Sequence, residues 1–286
     1  RVPVSELLVA SLREGGKVPE AQQELDRAKQ RFTESMQKNT DYRDSCEQWL
    51  AMVLGKKGNI AFRSDDLANA EQWLLESVRL RPGSVGADLG LAETTKLGLM
   101  QVADKHYKKR DLAKVEAIYR AASDAAQNDL DLLNNSGLFA RDYGNQLERS
   151  GKTKEALGMY EQSYKAYRRA CELDPNNVRL RNDCALIAIY HLDRDWPQSK
   201  ELLDGAIKQG SDRLRDEPPS DVQEKQNLDE AVGDCYENLA LWHLRHSKDY
   251  EAAKQAAQQS MAHYPGQGRI GAQRHLQEAE RLLKSK

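Results

Sequence analysis

Two pairs of residues in this chain have the types and spacing to hold a peptide. Arg141 and Asn145 lie four residues apart in a segment of helical period, and Asn59 and Arg63 do the same. Four residues make about one helical turn, so each pair shares a face. Arg presents a charged fork to carboxylates, and Asn both donates to and accepts from a peptide amide. Other constellations lose their chemistry once their context is read. Gly151-Lys152-Thr153 has the ending of a phosphate-binding loop, but Gln146 stands where that loop needs a Gly, and no strand precedes it. His243 and His246 are three apart in the apolar helical segment Leu239–Leu244, without the further ligands of a zinc site, and read as structural histidines. Asp65-Asp66 and Glu278/Glu280 fall at a turn and on a charged helix face, where solvated carboxylates are ordinary. No Ser or Cys has the glycine-flanked elbow of a nucleophile. Asn134-Asn135-Ser136 matches a glycosylation acceptor, a three-residue pattern frequent by chance.

The totals narrow the classes. The chain has 286 residues, 39% apolar and 31% charged, with 8 Pro and 18 Gly, a balance that suits a helical protein with much surface per residue. Its net charge of −2 argues against bulk attraction to nucleic acid or anionic membranes. The aromatics fall on core positions such as Trp73 and Tyr160, which argues against stacking on bases. No run approaches the roughly 18 apolar residues of a membrane helix, and no secretion signal is visible. These features together point to the cytoplasm. The chain opens on Arg1 rather than Met, which predicts trimming or processing. Cys46, Cys171, Cys184 and Cys235 are scattered in sequence, and reduced, buried thiols are expected rather than a metal or redox centre. Nothing in the sequence calls for a cofactor.

Nearly every segment carries a 3.6-residue apolar period, and no alternating run predicts a strand. One packing rule recurs: a small residue, a larger apolar one four positions on, then another small one. It appears at Ala21-Leu25-Ala28, Ala70-Leu74-Ser77, Ala156-Tyr160-Ser163, Ser199-Leu203-Ala206 and Ala253-Ala257-Ser260, with Val115-Tyr119-Ala122 as a looser copy. The small residues let a partner helix sit close and the larger one fills the gap beside it. Arg81-Pro82-Gly83-Ser84, Asp174-Pro175-Asn176-Asn177 and Tyr264-Pro265-Gly266 each stop a helix, and Asp216–Asp221 is the strongest break, with Ser220 or Asp221 able to cap the next helix.

These residues carry a resemblance to the tetratricopeptide-repeat family, whose repeat is an antiparallel helix pair of 34 residues. Gly58, Asp65, Ala70, Ser77 and Pro82 match its pattern, as do Gly144, Gly151 and Ala156. The alanine-type positions recur at 21, 70, 115, 156, 199 and 253, every interval longer than the 34 of the family. In the fourth unit the excess is Tyr164 to Ala170, two further turns of helix; in the third, the first helix is expected from about Ser84 to Lys109. The expected fold is thus an all-α right-handed solenoid of about six long helix pairs, over 3–38, 41–82, 85–127, 136–175, 178–215 and 220–265, with a capping helix over 268–286.

The resemblance implies a protein-interaction scaffold or adaptor whose first helices line a concave groove for a protein or peptide. Carried across residue by residue, the groove takes Asn59 and Arg63 from the second unit and Arg141, Asn145 and Arg149 from the fourth. It takes Arg179, Asn182 and Tyr190 from the fifth, and Asn238 and Arg245 from the sixth. The two-carboxylate clamp of chaperone-binding members is begun by Arg141 and Asn145 but broken, because Asp183 and Asp234 stand at its next positions. Two other readings stay open: a regulatory sensor closing on a small peptide or ligand, and the recognition region of a larger enzyme.

Overall fold

The computed structural model describes residues 17–38, 40–89, 94–264 and 269–285. Among them are twelve α-helices and no strand. In chain order they are α1 (Val18–Lys38), α2 (Arg43–Arg63), α3 (Leu67–Leu80), α4 (Thr95–Lys108), α5 (Leu112–Ala125), α6 (Leu130–Arg149), α7 (Thr153–Leu173), α8 (Val178–Leu186), α9 (Trp196–Asp216), α10 (Val222–Trp242), α11 (Tyr250–Ala262) and α12 (Ile270–Lys284). Helices α8 and α10 run on without a break into single π turns, Ile187–Leu192 and His243–Ser247. The chain divides into two compact units, residues 1–139 and 140–286, with the boundary inside α6.

The recurring triplets are what bury the helices. All six lie in the core, none of their residues more than 8% exposed. In the first unit Leu74, Val78, Leu99, Val102, Ile118 and Leu132 form one cluster, joined by Phe139, whose ring stacks on Tyr119 at 5.1 Å. In the second unit Leu203, Ala206, Val232, Cys235, Ala240 and Ala257 form another. The matched glycines act as the packing rule requires. A methyl group at Gly144 would come within 2.7 Å of the Tyr160 ring, so the small residue admits the larger one across the pair.

Helix ends follow their sequence signals. Asp66, Thr94, Asp111, Asn177, Asp221 and Asp249 each accept a hydrogen bond from the backbone N–H three residues on, satisfying a donor the helix leaves open. Between paired helices the chain reverses through one left-handed residue: Asp65 (φ 61°), Arg110 (φ 61°), Gly151 (φ 80°) and Lys248 (φ 57°). After α8 the reversal needs two, Asp193 and Asp195 (φ 50° each). Only at Gly151 does the residue type suit that conformation without steric cost.

Two expected boundaries change. The third unit's first helix starts at Thr95, not near Ser84: Pro82–Ser84 form a single 3₁₀ turn, and the Thr94 hydroxyl caps α4. Val85 and Leu89 are buried, but from an irregular segment, so their four-residue spacing only mimics a helix. The fourth unit's first helix begins at Leu130, ahead of the 136 boundary. The extension Tyr164–Ala170 is helical throughout within α7, as its period predicts. The first helix expected before residue 17, the stop at Pro265-Gly266 and the start of the capping helix at 268 lie outside the described residues.

Candidate functional site

In the second unit, α8, α10 and the second half of α6 are the first helices of their pairs, and α12 packs on α10. They present a row of alternating charges. Arg141 on α6 donates from Nε and Nη2 to Asp142 at 3.1 and 3.0 Å. Burial works against its charge, but Tyr167, Asp142 and Asp183 outweigh this and hold its pKa above the usual guanidinium value. Asp183 on α8 feels Arg141 on one side and Arg179 and Asp234 on the other. Asp234 and Glu237 on α10 are both paired with Arg269 at the start of α12, and the Tyr264 hydroxyl donates to Asp234. The row therefore runs Arg141, Asp183, Arg179, Asp234, Arg269, Glu237.

Burial sets the chemistry of its acids. It pushes the Asp183 carboxyl up to about 6, against the pull of Arg141, Arg179 and an Asn182 hydrogen bond. It also raises Asp234, although Tyr264, Arg269 and Arg179 oppose the shift. An acid held between two arginines and still raised is poorly solvated, so a cationic group brought to it gains more than it would at an open surface.

The ten residues expected to form a groove divide into three sets. Asn59, Asn182 and Asn238 are each only 3% exposed, which corrects their expected role as groove surface. Asn238 donates to Asn182 at 2.8 Å, tying α10 to α8 inside the packing. The polar amide at the same repeat position is a structural link between helices, since a buried amide must find such partners. Asn145, Tyr190 and Arg245 are engaged at the margin. The Tyr160 hydroxyl lies 3.0 Å from Asn145 Oδ1 and 2.8 Å from Glu148, and its single proton serves one of them. Tyr190 meets His275 at 3.1 Å, and Arg245 lies over the Tyr190 ring at 5.8 Å while reaching the Ile189 carbonyl. Arg141, Arg149 and Arg179 belong to the row or its edge: Arg149 and Arg179 are exposed, and Arg179 donates to the Asn227 carbonyl at 3.2 Å. Arg63 is exposed in the first unit.

Sequence reasoning missed Arg269, Tyr264 and His275 as site members. Arg269 was legible only as a cation preceding the last helix; its position opposite Asp234 and Glu237 depends on how α12 returns onto α10. His246 stacks on Trp196 at 5.3 Å and His243 meets Ser247 at 3.0 Å, as structural histidines do. The Gly151-Lys152-Thr153 segment is the reversal between α6 and α7. Among the described residues no helix is long and apolar enough to cross a membrane.

Comparison with known proteins places this repeat grammar. Residues 147–177 match the model of the tetratricopeptide repeat. No curated protein matches the chain in sequence. Among solved structures, it is similar to YrrB, a tetratricopeptide protein with an unusual peptide-binding site, at 14% identity over 85% of this chain and 96% of that one, with a TM-score of 0.43. It is similar to BtubC from P. vanneervenii at 19% identity over 81% and 89% of the two chains, with a TM-score of 0.42. It also resembles the TPR2AB domain of yeast Sti1 in its pHSP90 complex, at 15% identity over 82% and 85%, with a TM-score of 0.31. Scores below 0.5 carry no argument, so the likeness stands on the matched repeat alone. α6 and α7 carry the matched repeat, and the same small-large-small packing recurs in the pairs before and after it, so the chain is an array of long helix pairs similar to tetratricopeptide repeats.

Proposed function

We propose that the protein is an interaction scaffold that holds an extended peptide against the charged row of its second unit, without chemistry of its own. The observation that carries this reading is the row itself. Six charged groups, from α6, α8, α10 and the residue capping α12, lie close enough to bias one another's protonation or form ion pairs, and they alternate in sign. Repeat arrays use the face of their first helices for binding, and rigid helices meet a ligand without an ordering cost on their own side. The alternation favours a peptide of mixed charge: Arg141 and Arg179 suit carboxylates, and Asp183 suits a Lys or Arg between them. Within the row the ionisable groups are engaged with one another.

Selection of a displayed random-peptide library on the full chain tests this, with affinities of the selected peptides read by fluorescence anisotropy. Peptides with alternating charge should emerge, and Arg141→Glu with Arg179→Glu should weaken them at least tenfold while circular dichroism is unchanged. Peptides held equally well by parent and variant would move the site elsewhere. Failure to select any peptide would sink the reading.

A further inference from the structure

Cys171 and Cys184 are thirteen positions apart in sequence and adjacent in space. Cys171 sits in the last turn of α7, Cys184 in α8, and the two thiols are hydrogen-bonded to each other across the Asp174–Asn177 turn. Both line an open-sided cavity of about 460 Å³ between α7, α8 and α9. Arg168, Arg181, Glu172, Asp195 and Glu201 contribute its charged lining. Arg181 is seated there by packing: Gly205 on α9 leaves it room, since a methyl group at that position would come within 2.8 Å of its guanidinium.

The sulfurs are not equivalent. Cys184 is 1% exposed, whereas Cys171 is reachable from the cavity. The hydrogen bond from Cys184 favours the Cys171 thiolate, and Arg181 adds to this against the cost of burial. The same bond and its own burial hold Cys184 as a thiol. An accessible thiol of lowered pKa beside a buried thiol is the arrangement of an attacking and a resolving cysteine.

We propose that Cys171 and Cys184 form a reversible dithiol–disulfide site whose oxidant is a small peptide disulfide of the glutathione type. Such a molecule carries both carboxylates and amines, suited to the two arginines and three acids of the cavity. In the first step the Cys171 thiolate attacks one sulfur of the small disulfide, forming a mixed disulfide and expelling one thiolate. In the second, Cys184 gives up its proton to solvent and attacks the Cys171 sulfur, forming the Cys171–Cys184 bond and releasing the second thiolate. Two protein thiols are oxidised by two electrons, one small disulfide is reduced to two thiols, and no other reagent is consumed. The product ties α7 to α8 beside the row that contains Asp183 and Arg179.

The test is incubation of the folded, fully reduced chain with oxidised glutathione, quenched by acid, alkylated and mapped by mass spectrometry. A Cys171–Cys184 cross-link should form while Cys46 and Cys235 remain alkylatable, and the oxidised chain should melt several degrees higher. Cys184→Ser should stop at a glutathione adduct on Cys171, formed at least tenfold faster than any adduct on Cys46. Should that variant misfold, the time course of the parent decides. First attack at Cys46, Cys184 or Cys235, or persistence of both free thiols in excess oxidised glutathione while circular dichroism stays native, would overturn the proposal.

Discussion

The two units use the polar positions of their first helices in opposite ways. In the first unit these positions turn inward. Lys57 is 4% exposed, lies over the Trp73 ring at 4.1 Å and is paired with Asp26, and Asn59 is buried beside Gly98. In the second unit the polar groups form a coupled, mostly half-buried row from Arg141 to Arg269, with the Asn182–Asn238 link drawn fully inside. The same repeat grammar can thus direct a cation into the packing or into a row of charges. The neighbouring helix decides between them: it supplies either a buried partner, as Trp73 does for Lys57, or another charge at the rim, as Asp183 does for Arg141.

The sharpest way to break this contrast is in the packing of the first unit. Leu74→Ala removes a side chain with no exposure, and should cost about 3–4 kcal/mol in denaturant unfolding. It should leave the affinity of a selected peptide unchanged wherever the protein is still folded. Next is the buried link of the second unit. Asn238→Ala strands the Asn182 carbonyl oxygen, and a loss of about 1–3 kcal/mol is expected. A loss under roughly 0.5 kcal/mol would show that water replaces the link. Smaller again is Arg179→Glu, which should lower stability by less than about 0.5 kcal/mol, as surface substitutions do. Its effect should appear in peptide affinity instead, as a tenfold loss or more.

The row also has a pH signature. Asp183 binds its proton more tightly in the folded chain, at about 6, than at its ordinary value of 3.8. Protonation therefore favours the folded state: this group's penalty is full above pH 6 and fades as pH falls toward 4. Asp183→Asn should raise Tm by a few degrees at pH 7.5, and the gain should vanish near pH 4. Equal gains at both pH values would show that the carboxylate is solvated. A further small effect belongs to the reversals. Arg110→Gly relieves a left-handed residue (φ 61°) and should add about 0.5–1 kcal/mol, whereas Gly151→Ala (φ 80°) should subtract about as much.

Much of the fold was open to reading because packing between helices leaves a spacing. Ala70-Leu74-Ser77 and its copies mark which face is buried, and Asp66, Asp111 and Asp249 mark where helices begin. Two things left no such trace. Asn182 and Arg179 are both polar residues on a first helix, and only the arrival of Asn238 makes one internal. Val85 and Leu89 repeat at helical spacing, yet the turn at Pro82–Ser84 keeps them irregular. Proximity across a turn was equally hidden, so Cys171 and Cys184 looked scattered.

The π turns that close α8 and α10 have a consequence for ancestry. A π turn holds one residue more than the helix around it needs, which is what a single-codon insertion leaves when the helix absorbs it rather than breaking. Both marks sit at the same place in two consecutive repeats, at the end of the first helix, and the described first helices α2, α4 and α6 lack them. The economical history is one insertion followed by duplication of the unit that carried it. The charges of the row did not travel with it: aligning the two π turns by their first residues sets Arg179 and Asp183 of one repeat against Cys235 and Leu239 of the next.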